Sequence, residues 1–172
     1  MNSGGQHEPK AASGWDQWLA QQAPRLLLFA RQQARCEADA QDLVQEAVVE
    51  SWRRQSNGVP PPLGCVFATI RRRAVDLARS VDRRSDREDS LYREASQDWF
   101  DSGVEDRERN RLIQQAMNNL PDLQREVVTL KVWGGLTFAE IGEALDIPAN
   151  TASSRFRYGL EELRKTVKEV FA

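Results

Sequence analysis

The stretch TFAEIGEALDIPANTASSRFRYGLEELRK, Thr137–Lys165, decides the fold. Thr137-Phe138-Ala139-Glu140 has the spacing of a capping box, with the Thr137 hydroxyl accepting from the backbone of the first turn and Glu140 reaching back. The short helix that it opens buries Phe138, Ile141 and Leu145. Asp146-Ile147-Pro148 makes a tight break. A longer helix then starts near Ala149 and turns Ala152, Phe156, Leu160 and Leu163 inward. A short capped helix, a three- or four-residue turn and a longer helix form the pattern of a helix-turn-helix. In such a unit the second helix offers its N-terminal residues to base edges in the major groove. Here these are Asn150, Thr151, Ser153, Ser154, Arg155 and Arg157, whose side chains can reach bases or phosphates. A helical hairpin with no role on DNA fits the same pattern.

Charge argues against tight binding by this unit alone. Thr137–Lys165 carries four bases (Arg155, Arg157, Arg164, Lys165) and five acids (Glu140, Glu143, Asp146, Glu161, Glu162). Neutralising phosphates supplies most DNA affinity, so a second anchor is needed. Upstream of the motif, Glu105–Asn119 reads as a helix with Leu112, Ile113, Ala116 and Met117 inward. Pro121 suits the first turn of the next helix, which ends at Gly134-Gly135.

The N-terminal half repeats the helical periodicity. Trp15–Arg35 reads as a helix with Trp18, Leu19, Leu26, Leu27 and Ala30 toward a core. Asp39 is the expected N-cap of a second helix running to Arg54, and Leu43, Val44, Ala47, Val48 and Trp52 form its apolar stripe. That helix exposes Asp39, Asp42, Gln45 and Glu46. Asp42 and Glu46 repel at i,i+4, so the face is either solvated or matched to a cationic partner. Asn57-Gly58 and Pro60-Pro61-Pro62 break the chain. A third helix runs from about Gly64 to Val81 with Val66, Ile70, Ala74 and Leu77 inward, and Phe67 fits either face. Val66–Arg87 holds seven Arg (71, 72, 73, 79, 83, 84, 87) and three Asp (76, 82, 86), a local +4 within a chain of net charge −2. Asp76 can pair with Arg72 at i,i+4. A row of arginines beside a stiff loop either grips a phosphate backbone and unstacked bases or serves solubility alone.

Other chemistry lacks its residues. The one histidine, His7, falls in the Ser-, Gly- and Ala-rich segment Met1–Gly14, expected to be disordered. No zinc ligand set, Ser-His or Cys-His pair, or phosphate loop is legible, so no catalytic residue, metal or cofactor is expected. Cys36 and Cys65 form no CxxC and are expected as buried small side chains. With no long apolar run and no secretory signal, the expected compartment is the cytoplasm, without membrane insertion.

Three ordered segments resemble the extracytoplasmic-function group (group 4) of bacterial RNA polymerase sigma factors. DAQDLVQEAVVESW (Asp39–Trp52) is similar to the core of the family's region two. VFATIRRRAVDLAR (Val66–Arg79) is similar to its minus-ten promoter-reading helix. LPDLQREVVTLKVWGGLTFAEIGEALDIPANTASSRFRYGLEELRK (Leu120–Lys165) is similar to region four, which reads the minus-thirty-five element. The resemblance implies an all-α fold of two small helical domains joined by a charged linker. They would be region two over 15–81, a linker over 82–103, and region four over 104–172 after a disordered 1–14. It implies that Asp39, Asp42, Gln45 and Glu46 face the polymerase β′ clamp helices, with the β flap as a second polymerase contact. Arg71, Arg72 and Arg79, with loop Val59–Gly64, would face the minus-ten region. Asn150, Thr151, Ser153, Ser154, Arg155 and Arg157 would face the minus-thirty-five region. The acidic run Glu94–Asp106 would lie along the RNA exit path, and an anti-sigma factor is a further partner in many relatives. The family often has Asn where Arg72 sits, and Lys or Arg where Ser153 and Tyr158 sit. These departures imply altered minus-ten reading and weaker minus-thirty-five contacts. A stand-alone helix-turn-helix regulator would explain Leu120–Lys165 but leave the N-terminal block without a role. Sequence alone leaves open whether the free domains pack together.

Overall fold

The computed structural model describes residues 14–55, 59–85, 98–100 and 106–171. The expectations for segment 1–13, for Arg87 and for most of the linker, including most of Glu94–Asp106, lie outside the described residues. Seven helices and no strand occur among those described: α1 (Gly14–Gln33), α2 (Glu37–Arg54), α3 (Leu63–Ser85), α4 (Arg107–Asn118), α5 (Asp122–Val132), α6 (Phe138–Leu145) and α7 (Ala149–Phe171).

Helices α1, α2 and α3 pack on one another, and α5, α6 and α7 do the same; α1 turns in Leu28 and Phe29, beyond the residues its expected stripe named, with Leu26 and Ala30. Phe29 of α1 and Phe67 of α3 are fully buried and meet edge to face, ring centroids 5.3 Å apart. Each such side chain contributes about 1.5–3 kcal/mol through burial. The two blocks do not stand apart. α3 lies against α6 and α1 against α5. One core runs through both, joining Leu26, Ile70 and Ala74 to Val127, Leu130, Ile141 and Leu145.

The middle of the chain joins this packing. Trp99, within the expected linker, is buried with Leu28, Met117, Leu120 and Val128. Its backbone polar groups are satisfied there. Arg31 donates Nη1–H to the Trp99 carbonyl at 3.0 Å, and the Trp99 amide donates to Gln114 Oε1 at 3.0 Å. A burial of this kind has no periodicity, so an isolated Trp in a charged stretch reads as linker.

Several local expectations are corrected. Trp52 is 52% exposed, and Leu19 is also on the surface. Trp52 lies two turns beyond Gln45 and shares its outer face; its contact is an edge-on approach to Trp15, centroids 6.5 Å apart. α2 starts earlier than expected, with Cys36 at the N-cap and Asp39 in its first turn. Pro121 occupies the N-cap of α5, ahead of its first turn. Cys65 is exposed and Cys36 half-buried, because both sit at helix starts outside the core. Phe67 belongs to the core.

Candidate nucleic-acid and polymerase interface

The helix-turn-helix forms as its residues dictate. Thr137 accepts from the Glu140 amide through Oγ1 at 3.2 Å, and the Thr137 amide donates to Glu140 Oε2 at 2.7 Å. The Thr137 amide bond first, and then the Thr137 hydroxyl donating to the same Glu140 oxygen at 2.7 Å, hold the Glu140 carboxyl below the usual carboxylate range. Asp146 ends α6 in the left-handed conformation (φ 56°), and the Ile147 amide donates to the Gly142 carbonyl at 2.9 Å. The turn closes so tightly that a Cβ on Gly142 would lie 2.6 Å from the Ile147 carbonyl oxygen. A Gly142→Ala chain must therefore shift backbone, costing about 2–3 kcal/mol, and its melting temperature should fall by about 5–10 °C. An unchanged thermal transition would mean that the turn is looser in solution.

α7 buries Ala152 and Gly159 and leaves Asn150, Ser154 and Arg157 exposed at helical spacing; Thr151, Ser153 and Arg155 are half-buried beside them. Part of the stripe is engaged locally. Ser154 donates to the Asn150 carbonyl at 2.9 Å, and Arg157 lies against the adjacent Tyr158 ring, 5.0 Å from its centroid. The structure thus brings all six α7 candidates to one end of one helix.

On α2, Asp42, Gln45 and Glu46 are exposed and Asp39 is half-buried. Glu46 pairs with Arg73 of α3 at 3.2 Å, so the acidic face is partly neutralised within the chain. The same face continues into Val49 and Trp52, both exposed. Their spacing from Gln45, four and seven residues, was the signal available in the sequence.

On α3 the arginines diverge. Arg79 is exposed. Arg72 pairs with Glu50 of α2 and not with Asp76, because Glu50 projects across the α2–α3 crossing. Glu50 also receives Arg54 at 2.6 Å and Arg73 at 2.9 Å. Its carboxyl is held below the usual range, first by the Arg72 hydrogen bond and then by Arg73, against an opposing effect of burial. The sequence did not single out Glu50, since its role depends on where α3 crosses α2. Arg71 turns the other way, toward α5, where its Nε donates to the buried Glu126 carboxylate at 3.1 and 3.2 Å. Gln33 donates to the same carboxylate at 3.3 Å, and Thr129 donates to Gln32 Oε1 at 2.9 Å. The start of α3 abuts α6, with the Glu140 carbonyl oxygen 3.7 Å from a Cβ built on Gly64. The minus-ten candidates and the helix-turn-helix are therefore juxtaposed. Among the described residues, no cluster of three or more His, Cys, Asp or Glu could hold a metal ion, and no helix is long and apolar enough to cross a membrane.

The chain thus carries a three-helix block with an acidic and a basic face, followed by a helix-turn-helix block. Residues 19–84 match Sigma-70 region 2, and residues 110–163 match Sigma-70, region 4. The chain is 34% identical over 133 residues to the ECF RNA polymerase sigma factor SigK of Mycobacterium ulcerans, covering 73% of this chain and 70% of that one. It is 41% identical over 63 residues to the ECF RNA polymerase sigma factor SigW of Bacillus subtilis, covering 37% of this chain and 34% of that one. Two solved structures share the fold. RpoE of Bartonella quintana, in complex with the anti-sigma factor NepR, superposes with a TM-score of 0.67 at 21% identity over 90% of this chain and 96% of that one. CnrH, in complex with the cytosolic domain of CnrY, gives 0.63 at 19% identity over 92% and 93%.

The chain belongs to the extracytoplasmic-function sigma factors. It is an RNA polymerase-binding, promoter-recognising initiation factor, and the stand-alone regulator is not favoured. Sigma factors as a class recognise DNA and are not enzymes.

Proposed function

We propose the following division of labour. α2 docks on the β′ clamp helices through Asp39, Asp42, Gln45 and Glu46, with Val49 and Trp52 extending the contact. Arg71, Arg72 and Arg79 of α3 and loop Val59–Gly64 face the minus-ten element and hold it as it melts. Asn150, Thr151, Ser153, Ser154, Arg155 and Arg157 of α7 face the minus-thirty-five element. The apolar cleft lined by Leu112, Ile113, Met117, Trp133 and Leu163 receives the β flap. The boundaries follow, with region two over 15–81 and region four over 104–172. The chain acts in the cytoplasm, carries out no catalysis of its own and needs no cofactor. An anti-sigma factor is a fitting restraint, as the solved RpoE is bound to one.

The observation that carries this reading is the exposed stripe of α2, which lies outside the core and runs from acidic Asp42 to apolar Trp52. A polar-to-apolar face on the surface of a three-helix block suits a protein partner. Asp42→Arg should weaken core polymerase binding about tenfold at low salt, the order expected for one close interfacial charge pair. The thermal transition should not move. Unchanged core affinity would remove α2 from the contact.

The two promoter elements also require a change of shape. Their separation of about 25 base pairs spans about 85 Å of B-DNA at 3.4 Å per pair. α3, at 23 residues, is only about 35 Å long and already touches α6. The packed form is therefore the one without promoter, and the blocks separate when both elements are engaged.

A further inference from the structure

We propose that Glu50 is the positioning residue for Arg72, and that this pair sets base preference at the upstream edge of the minus-ten element. The proposal rests on the reading of α3 given above. Glu50 is 18% exposed, too enclosed to be a docking charge, yet three guanidiniums converge on it. They are not equivalent. Arg73 is fully engaged: its Nε and Nη2 donate to Glu50 Oε2 at 3.0 and 2.9 Å, and it also reaches Glu46. That pair alone suffices to tie α3 to α2. Arg72 adds one contact, through Nη2 to the other oxygen, Oε1, and remains 52% exposed. A guanidinium has five N–H donors, so a half-exposed Arg72 with one contact to Glu50 keeps donors for the planar fork that recognises guanine O6 and N7.

An unanchored arginine on a helix surface samples many rotamers, and selecting one on DNA costs affinity and blurs discrimination. Glu50 fixes one end of the fork before DNA arrives. The chemistry recognised is a purine acceptor edge, a guanine above all, one step upstream of the unstacked bases.

The test is in-vitro transcription by holoenzyme reconstituted with the full chain, on templates randomised at the upstream minus-ten positions. Arg72→Ala should flatten base preference by about tenfold at one or two positions, the order of one bidentate contact. Glu50→Gln, nearly isosteric, should flatten the same positions by about threefold with core affinity unchanged. The double variant should add little to Arg72→Ala, as for two residues acting as one unit. Glu50→Asp, which keeps the charge but withdraws it by one methylene, should fall between Gln and wild type, and it serves if Glu50→Gln folds poorly. A Glu50→Gln profile that scales every template alike would make Glu50 merely structural and overturn the proposal. If Arg72→Ala keeps the wild-type profile while Arg71→Ala abolishes starts, the proposal fails and the reading of α3 stands. If neither arginine variant changes starts or preference, both fail.

Discussion

A chain locked by a disulfide between positions 64 and 140 should give no promoter-specific transcript until it is reduced. A Cβ built on Gly64 lies 3.9 Å from the Glu140 Cβ, inside the roughly 3.5–4.5 Å span that a disulfide bridges. Gly64→Cys with Glu140→Cys, in a Cys36→Ser, Cys65→Ser background, therefore pins the start of α3 to α6 with little distortion. The bond forbids the separation that two elements about 85 Å apart demand. Glu140→Cys breaks the capping box, at about 1 kcal/mol, so the reduced form is the proper reference. Oxidised protein should be silent, and reductant should restore the reduced level. Equal activity in both states would show that initiation proceeds with the blocks together.

The second large effect is expected at Glu126. This carboxylate is 7% exposed on α5 and accepts from Arg71 and Gln33 of the other block. Removing one partner of a fully buried pair costs about 3–5 kcal/mol. Arg71 is 31% exposed, so water screens the pair and about 1–2 kcal/mol is the fitting figure. That corresponds to a shift of about 5–30-fold from the packed toward the open form. If only the open form engages core polymerase, apparent affinity rises by the factor by which the open fraction grows. Glu126→Ala should thus saturate polymerase at a lower concentration and show a larger radius of gyration in solution scattering. A variant with wild-type radius and saturation would mean that this ion pair does not hold the packed form.

The two effects separate what the sequence makes legible from what it hides. The helix-turn-helix was readable because its determinants are local: a Thr–Glu capping box, a three-residue break and an apolar stripe, all within Thr137–Lys165. The helical stripes of α2 and α3 were readable for the same reason. The acidic candidates on α2 were legible too, and Asp42, Gln45 and Glu46 are exposed as their spacing implies. What depends on one element meeting another was not legible. Trp52 looks like the end of a core stripe, yet it sits two turns beyond Gln45 on the outer face. Trp99 looks like linker, but a pocket between α1, α4 and α5 takes it in. Arg71 and Arg72 are adjacent and alike in sequence, and they point to different partners, Glu126 and Glu50, because a helix turns by about 100° per residue. Glu50 itself carries no motif; only the crossing of α2 and α3 gives it three arginines.

The role of this chain is to turn core polymerase into a promoter-specific enzyme. Its most direct test is in-vitro transcription with sigma-free bacterial core polymerase and a library of promoter fragments. Discrete starts should appear only when the chain is added. They should fade with Arg71→Ala/Arg72→Ala and with Arg155→Ala, by about tenfold or more for each lost base or phosphate contact set. Fragments bound by the chain without polymerase, with no starts when core is present, would contradict it.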